Sequence, residues 1–338
     1  MGYRQVLTRI VWTGMAVIAL SGPIEAQAPV RPGGKSATAI PRTPDGHPDL
    51  QGVWTNATIT RMERPPEFAG KATVTDAEAK AYEEKDNATS SLDTSVDSGF
   101  NRATGGPGVG AYNNLFTDRG SELARVDGLK RTSLIIDPPD GRIPPRLTPV
   151  PPSNFIGGSF DDVTRRPLAE RCIIGQASST GPPMMPALYD NFYQIVQTPE
   201  YVMILVEMIH EPRVIRINDG RMNGKHLPEN IRQLVGDSIG HWEGDTLVVE
   251  TTNFDPRTAF ARTSGHLKVT ERFRRVDAAT ILYRATIDDP TTFAKPWTME
   301  FPFVANPGPV YEYACHEGNY AMADILGGAR KQESEEKH

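Results

Sequence analysis

A histidine, a carboxylate and an arginine lie next to the two cysteines of the chain, and together they could transfer a proton. Cys172 and Cys315 are far apart in sequence, and in an oxidising compartment such a pair usually forms one disulfide. That bond would bring His316 and Glu317 close to Arg171. A histidine beside a carboxylate can act as an acid or a base, and an arginine can bind an anion. The alternative is a polar cluster that only organises loops.

Two further polar runs, DNFY and HEPR, flank predicted strands. Asn191 and Tyr193 could donate hydrogen bonds to a substrate oxygen. His210 could move a proton, and Arg213 could help to bind the substrate. Strand ends are where barrels place residues that contact ligands. For each of these four residues a purely structural role is the alternative.

A carboxylate and a phenol alternate with apolar residues on two neighbouring predicted strands. Glu271 shares a strand face with Val269 and Phe273, and Tyr283 shares one with Ile281. If both faces point into a closed barrel, Glu271 and Tyr283 are polar groups among apolar walls. Desolvation raises the pKa of a glutamate and makes it a usable acid or base. The alternative is an ion pair between Glu271 and an arginine at the sheet surface.

Glu207 is a carboxylate within an otherwise apolar strand that is predicted over residues 201–209. If Ile209 pairs with Val214 across the following turn, Glu207 lies opposite Arg216. A cross-strand ion pair explains this carboxylate more simply than catalysis does. We therefore expect Glu207 to pair with Arg216.

The chain contains none of the short motifs that identify common enzyme classes. A Gly-x-Ser-x-Gly elbow, a zinc-binding His-Glu-x-x-His, a phosphate-binding glycine loop and a Cys-x-x-Cys pair are all absent from the sequence. The seven histidines are not spaced as paired metal ligands on one element, although a metal site assembled from distant loops stays open. We expect chemistry that uses no cofactor.

Residues 1–26 have the layout of a secretory signal peptide. Arg4 and Arg9 form a basic region, residues 10–20 form an apolar run, and Ala26 offers a small residue for cleavage. A membrane anchor is the alternative, but the apolar run is shorter than the roughly 20 residues that cross a bilayer. No later stretch is long and apolar enough to span a membrane. We therefore expect a soluble protein in the periplasm or outside the cell.

The charge balance disfavours nucleic acid as a partner. The chain has 36 Lys and Arg against 42 Asp and Glu, which gives a net charge of −6. Phosphate binding depends on many lysines and arginines, and the sequence has no dense basic stripe. We expect a small molecule as the partner, and the sequence leaves the oligomeric state open.

Alternation of apolar and polar residues predicts a β protein from residue 191 to residue 304. The predicted strands are at 192–197, 201–209, 213–217, 239–243, 246–251, 268–275, 280–287 and 297–304. Strands joined by short turns form a meander, and a meander of this size must hide its edges. We predict a mainly β fold, an antiparallel meander closed into a calycin-like or lipocalin-like barrel. A β-sandwich is the alternative.

The rest of the chain is expected to surround one β domain at residues 51–330. Thr75 and Glu78 form a capping box, which predicts the start of a helix. The other predicted segments are an extended linker at 27–50, a helix at 76–85, long loops at 86–120 and 138–190, a helical turn at 228–234, a short C-terminal helix at 321–330 and a disordered tail at 331–338.

Six segments resemble those of a widespread family of exported bacterial proteins. They are PDGHPDLQGVW, RTSLIIDPPDGRIP, YDNFYQIVQTPEYVMILVEMIHEPRVI, LPENIRQLVGDSIGHWEGDTLVVETTNF, DDPTTF and YEYACHEGNY. The resemblance covers most of the chain from about residue 41 onward. It implies export and one integral domain, and it carries over no catalytic residue.

Three functions are consistent with these patterns. The first is a cofactor-independent acid–base enzyme, a lyase, isomerase or hydrolase, acting on a small, partly apolar organic substrate in a barrel pocket. The second is a non-catalytic binding protein for an apolar small molecule, and the third is an envelope-associated structural protein. Ionisable side chains that converge on a pocket would favour the enzyme. A purely apolar lumen would favour the binding protein, and a lumen filled by its own side chains would favour the structural protein.

Overall fold

Nine strands close into a barrel. The computed structural model describes residues 40–92, 100–101, 106–107, 117–149, 160–175, 180–218, 220 and 224–336. The predicted signal peptide and parts of the predicted linker and loops lie outside these residues. The strands are β1 Gly52–Thr55, β2 Thr73–Val74, β3 Phe100–Asn101, β4 Gly106–Pro107, β5 Arg125–Val126, β6 Leu129–Arg131, β7 Ile135–Asp137, β8 Phe192–Gln197, β9 Tyr201–Val206, β10 Pro212–Ile217, β11 Asp237–Glu243, β12 Thr246–Thr252, β13 Lys268–Arg275, β14 Thr280–Asp288 and β15 Trp297–Ala305.

The short strand β1 closes the barrel by pairing on both of its edges. Val53 pairs with Gln194 of β8, and Trp54 pairs with Ala305 of β15, both in antiparallel register. Round the barrel, β1 is followed by β8 to β15 in sequence order, and β7 adds a short pairing to β15. The prediction of a mainly β fold that closes into a barrel is confirmed.

One pair of neighbouring barrel strands, β10 and β11, is parallel. Ile215 pairs with Ser238 in this register. Strand directions cannot alternate all the way round a ring with an odd number of strands, so a nine-stranded barrel needs a parallel pair. Residues 218–236 make the long connection that a parallel pair requires. The predicted helical turn in this connection is instead a hydrogen-bonded turn, in which the Ile231 N–H donates to the Pro228 carbonyl.

Aromatic side chains fill the middle of the barrel. Tyr193, Phe273, Tyr283, Phe301 and Phe303 are each at most 1% exposed. Neighbouring rings in this group have centroids 5.0–6.3 Å apart. Inward-facing residues alternate with outward-facing ones along barrel strands, and each buried aromatic side chain contributes about 1.5–3 kcal/mol. The lumen is therefore occupied by the protein's own side chains at this level.

Two helices accompany the barrel. The first, α1 Asp76–Leu92, begins with the predicted capping box, since the Thr75 N–H donates to a Glu78 carboxylate oxygen at 2.9 Å. It continues seven residues past its predicted end. The second, α2 Tyr320–Glu335, includes most of the predicted tail and has no fully buried residue. Within the described ranges, no helix has both the length and the apolar character to cross a bilayer.

Three segments meet at one end of the barrel, which we call the mouth. Residues 180–191 lead into β8, and residues 207–211 connect β9 to β10. Residues 311–315 return from the C-terminal side and hydrogen-bond to the β9–β10 turn. The mouth consists of these three segments.

Candidate active site

A buried ion pair lies inside the barrel. The Arg213 guanidinium donates two hydrogen bonds to the Glu271 carboxylate, one of them 2.9 Å long. It also donates to Thr251 Oγ1 at 2.9 Å and to Ser238 Oγ at 3.1 Å. The Tyr283 hydroxyl donates to Glu271 Oε1 at 2.8 Å. Glu271 and Tyr283 thus face into the barrel, which was the condition for their acid–base role, and the expected ion pair with an arginine forms there with Arg213 and not at the sheet surface.

The segment 180–186, which we call the plug, seals this ion pair from solvent. The Met184 N–H donates to the Tyr283 hydroxyl at 2.9 Å, and the Met184 carbonyl accepts from Asn56 Nδ2 at 2.7 Å. The Tyr193 hydroxyl donates to the Met185 carbonyl at 3.3 Å. Met184 itself is fully buried. Tyr193 and Tyr283 thus hold the plug by its backbone.

Burial changes the ionisation of both of these tyrosines. It raises the pKa of Tyr283 well above its ordinary value, and the negative charge of Glu271 raises that pKa further. Burial likewise raises the pKa of Tyr193. Arg213 and Glu271 are 1% and 0% exposed. These four groups have almost no contact with solvent, and a lumen filled by the protein's own side chains is the observation expected of a structural protein. Acid–base chemistry on a diffusing substrate must therefore be sought outside the lumen.

The buried side chain of Asn191 holds the segment before β8 in place at the mouth. Its side-chain oxygen accepts from the Ala187 N–H at 2.7 Å, and its amide donates to the Ala187 carbonyl at 3.0 Å. The same amide donates to Asp118 Oδ1 at 2.9 Å. Because Asn191 is fully buried and its donors and acceptor are engaged, it ties the segment before β8 to Asp118.

Three of the eight described residues other than glycine that have left-handed backbone lie at the mouth. Ile209 and His210 have φ angles of 64° and 52°, and Asp190 has a φ of 59°. Left-handed backbone is unfavourable for residues other than glycine, and a β-branched residue such as Ile209 is a true outlier there. Such strain persists where surrounding contacts impose it, and it is often associated with functional sites.

Two backbone hydrogen bonds hold the acid–base side chains of the β9–β10 turn. The Tyr311 N–H donates to Glu207 Oε1 at 2.9 Å, and the Tyr313 N–H donates to His210 Nδ1 at 3.1 Å. Because Nδ1 accepts a hydrogen bond, the neutral imidazole of His210 carries its proton on Nε2. His210 therefore presents an N–H donor on the other side of its ring.

Carboxylates near this turn have raised pKa values. Burial, and then the charges of Glu207 and Asp118, raise the pKa of Asp190 to about 6. Burial also raises the pKa of Glu207, against the lowering effect of hydrogen bonds from the Tyr311 and Phe192 backbones. Neighbouring carboxylates that share a desolvated site cannot all ionise easily. Asp190 therefore titrates close to neutral pH.

The predicted ion pair between Glu207 and Arg216 is wrong. Strand β9 ends at Val206, and Arg216 pairs with Tyr201 in the sheet register. The Arg216 guanidinium binds the Asp237 carboxylate at 2.9 Å instead. Glu207 lies beyond the strand end, where the chain turns, and this places it at the mouth.

The predicted disulfide is present, with the Cα atoms of Cys172 and Cys315 5.7 Å apart. His316 and Glu317 are exposed, and Arg171 is half-buried. Both exposed side chains, His316 and Glu317, are surrounded by water and are not enclosed in a site. The bond's clearest structural effect is to anchor the C-terminal segment near the mouth.

Sequence reasoning found His210 but missed Asp190 and Asp118 as partners. Asp118 lies more than seventy positions before Asn191, and the two meet only in the folded chain. The DNFY run could have indicated Asp190 as a site residue, because this aspartate closely precedes strand β8, which the sequence predicts well. The effect of one carboxylate on another requires their positions in space.

No group of three or more histidine, cysteine, aspartate or glutamate side chains in the described part of the chain is arranged to hold a metal ion. No family model, curated protein or solved structure matches the chain. The functional argument therefore depends on the geometry of the mouth.

Proposed function

We propose that the protein is an acid–base enzyme that uses no cofactor. It acts at the barrel mouth, as a lyase, isomerase or hydrolase, on a small, partly apolar organic molecule. The observation that carries this proposal is the pair of backbone hydrogen bonds from Tyr311 and Tyr313, which fixes Glu207 and His210 in one turn of strained backbone. Asp190, with a raised pKa, lies at the same end of the barrel.

Asp190 and His210 have complementary roles in this proposal. With a pKa of about 6, Asp190 is mostly ionised at neutral pH and still basic enough to accept a proton from the substrate. The His210 Nε2–H donates a hydrogen bond to the substrate oxygen on which negative charge develops. Glu207 contributes by its charge, which raises the pKa of Asp190.

Apolar side chains around the mouth support a partly apolar substrate. Leu188 is 49% exposed and Tyr311 is 67% exposed. Tyr189 and Ile209 are half-buried and pack against the barrel core. An apolar rim beside a few polar groups is typical of small-molecule sites.

Deuterium exchange tests the proposal without knowledge of the natural substrate. The protein is incubated in D₂O with acetophenone, and separately with the small molecules released when native protein is denatured. NMR then follows deuterium uptake at carbon. Wild-type protein is expected to accelerate the exchange, and Asp190→Asn and His210→Gln are each expected to slow it by about 10²–10⁴-fold.

Matched controls are available on exposed parts of the chain. His266 and Asp324 are both exposed and lie outside the mouth, so His266→Gln and Asp324→Asn are expected to retain wild-type exchange. The wild-type rate should rise with pH as Asp190 ionises near pH 6. Equal exchange rates in wild type, Asp190→Asn and His210→Gln would refute the proposal.

A binding protein for an apolar small molecule is the second candidate, and the exposed Leu188 and Tyr311 favour it. In that case a small molecule would co-purify with the protein and would be released from it chemically unchanged. Mass spectrometry before and after incubation distinguishes the two candidates, because only the enzyme alters the molecule.

We also propose that the protein is exported to the periplasm or beyond, as a member of the exported family that its motifs resemble. The Cys172–Cys315 disulfide supports this, because disulfides persist in oxidising compartments. N-terminal sequencing of the protein recovered from its native compartment tests the proposal. A mature chain that begins near residue 27 is expected, and an intact N-terminus on cytosolic protein would contradict it.

A further inference from the structure

The C-terminal segment reaches the mouth as a strap anchored at both ends. At its start, the Asn306 N–H donates to the Val53 carbonyl at 2.9 Å. At its end, Cys315 is covalently bonded to Cys172. We call residues 306–315 the strap. Its residues are exposed or half-buried, and the half-buried Tyr313 packs against the barrel core.

The disulfide end of the strap has one further support. Asn319 Nδ2 donates to the Glu170 carbonyl at 2.7 Å, and it also contacts Cys172 Sγ at 3.5 Å. Cys172 is 7% exposed and has a left-handed φ of 55°. The residues around Cys172 therefore form a defined anchor for Cys315, two positions after Tyr313.

The strap delivers two N–H donors to one turn. The nitrogens of Tyr311 and Tyr313 can be at most about 7 Å apart along the chain, and they donate to Glu207 and His210 respectively. The acceptor residues are three positions apart in a turn whose backbone at His210 is left-handed. Both hydrogen bonds can form together only if the strap keeps a fixed position along the β9–β10 turn.

We infer that Cys172 and Cys315 are positioning residues of the acid–base site, because their bond fixes the strap whose N–H donors set the tautomer of His210 and orient Glu207. The inference rests on the proposed function, and it specifies how the proton of that site is controlled. Cys172 and Cys315 take no part in proton transfer themselves.

Loss of the strap would change which atoms carry protons at the mouth. Without the Tyr313 N–H, His210 Nδ1 is free to take a proton, and the ring is no longer restricted to the Nε2–H form. Without the Tyr311 N–H, the pKa of Glu207 rises further, because that hydrogen bond lowers it. The other charged groups on the packed segments are the acidic Asp118, Asp190, Glu211 and Glu312, and Arg119, which pairs with Asp86.

In the Nδ1–H form, the His210 ring presents an acceptor at Nε2 in place of the N–H donor. Release of the strap would therefore alter the chemistry of the site as well as its geometry.

Proline substitution tests the inference while leaving the disulfide intact. Tyr313→Pro removes the N–H that binds His210, and Glu312→Pro is the matched control one position away. The tautomer of His210 is read from ¹⁵N NMR shifts of its ring, assigned with His210→Gln. We expect a single Nε2–H form in wild type and in Glu312→Pro, and a mixture including the Nδ1–H form in Tyr313→Pro.

Reduction of the disulfide tests the positioning role directly. A small dithiol supplies two electrons and two protons, breaks the sulfur–sulfur bond to leave two thiols, and becomes a cyclic disulfide. We expect the reduced protein, with its far-ultraviolet circular dichroism unchanged, to show the same tautomer mixture as Tyr313→Pro. Deuterium exchange on acetophenone should fall by about 10²-fold, the loss expected when a catalytic group is misplaced by an ångström.

The tautomer experiment separates this inference from the proposed function. A tautomer mixture on reduction, in a protein that shows no exchange activity at all, would support the positioning role and refute the enzyme. An unchanged Nε2–H form in the folded, reduced protein would overturn the positioning role of Cys172 and Cys315, whatever Tyr313→Pro shows. If reduction unfolds the protein, the double variant Cys172→Ser with Cys315→Ser is read in the same way, and Tyr313→Pro tests the hydrogen bond itself.

Discussion

At the scale of single residues, the molecule contains two different kinds of buried charge. Arg213 and Glu271 neutralise each other and are surrounded by hydroxyl groups. Removing one partner of such a pair typically costs about 3–5 kcal/mol, whereas the pair itself adds little stability over apolar residues of the same volume. Asp190 has no cation of this kind among the causes of its raised pKa. The lumen pair therefore suits a structural role, and Asp190 suits a chemical one.

The raised pKa of Asp190 predicts a stability that falls with pH. Between pH 4 and 6 the folded protein binds more protons at Asp190 than the unfolded chain does, because burial raises the folded pKa from 3.8 to about 6. Stability contributed by the protonated form is therefore lost as the pH rises through this window. Asn tolerates the left-handed backbone of this position.

We accordingly expect Asp190→Asn to be more stable than wild type at pH 7, by about 1 kcal/mol after allowance for solvent screening. The difference should vanish near pH 4. Urea denaturation at both pH values measures it. A variant less stable than wild type at pH 7 would show that the Asp190 carboxylate is favourably bound. Loss of activity together with a gain in stability is the pattern expected of a catalytic group.

At the scale of elements, the plug depends on the two lumen tyrosines for its backbone hydrogen bonds. The Tyr283 hydroxyl both accepts from the Met184 N–H and donates to Glu271. Removing that hydroxyl leaves the buried Met184 N–H without an acceptor, and Glu271 Oε1 keeps only the hydrogen bond from Arg213. An unsatisfied buried group costs about 1–3 kcal/mol, and a lost hydrogen bond to a charged group costs a similar amount.

Tyr283→Phe is therefore expected to destabilise the protein by about 2–4 kcal/mol. It should also accelerate hydrogen exchange at the Met184 amide, because the plug loses its anchor. Denaturant unfolding and native-state hydrogen exchange measure the two effects. Tyr201→Phe is the control, since that side chain is 40% exposed on the outside of the barrel. An unchanged Met184 exchange rate in Tyr283→Phe would mean that the plug is held by other contacts.

The positions of most strands could be predicted from the sequence, but the residues that lie in the turns between them could be predicted only in part. Alternating apolar residues located β8, β13, β14 and β15 closely, because one face of each strand is buried in the lumen. Strand β9 was predicted three residues too long, because Ile209 continues the apolar pattern although its φ of 64° is incompatible with a strand. That single error moved Glu207 from the mouth to the sheet.

Only those residues of the candidate site that adjoin a predicted strand could be identified from the sequence. His210 follows a strand, so its position at a barrel end could be expected. The hydrogen bond to His210 comes from Tyr313, more than a hundred positions away, and no local pattern indicates it. The strand pattern left open whether Glu271 and Tyr283 face inward, and the charge that neutralises Glu271 comes from Arg213 across the lumen.

At the scale of the whole molecule, β1 is a four-residue strand that completes a ring of nine. Without it, β8 would have an unpaired edge, and so would the end of β15 beyond its short pairing with β7; unpaired edges promote aggregation. Removing residues 40–56 would also take away the buried side chains of Trp54, in the core, and Asn56, beneath the plug.

Deletion of residues 40–56 is therefore expected to give a protein that associates through its open edges. Size-exclusion chromatography with light scattering measures the association, and circular dichroism measures the remaining β structure. Deletion of residues 331–338 is the control, because α2 has no fully buried residue. A stable monomer without residues 40–56 would show that the barrel closes through β8 and β15 alone.

The ring joins the earliest strand of the barrel to the latest one. Trp54 and Ala305 are 251 positions apart and yet are direct neighbours. A ribosome or a translocation channel releases the chain in order, so the seam between these two strands can form only after nearly the whole polypeptide has emerged. Pairings across such long separations are slow to form. Until that seam forms, the barrel strands can form only an open sheet with unpaired edges.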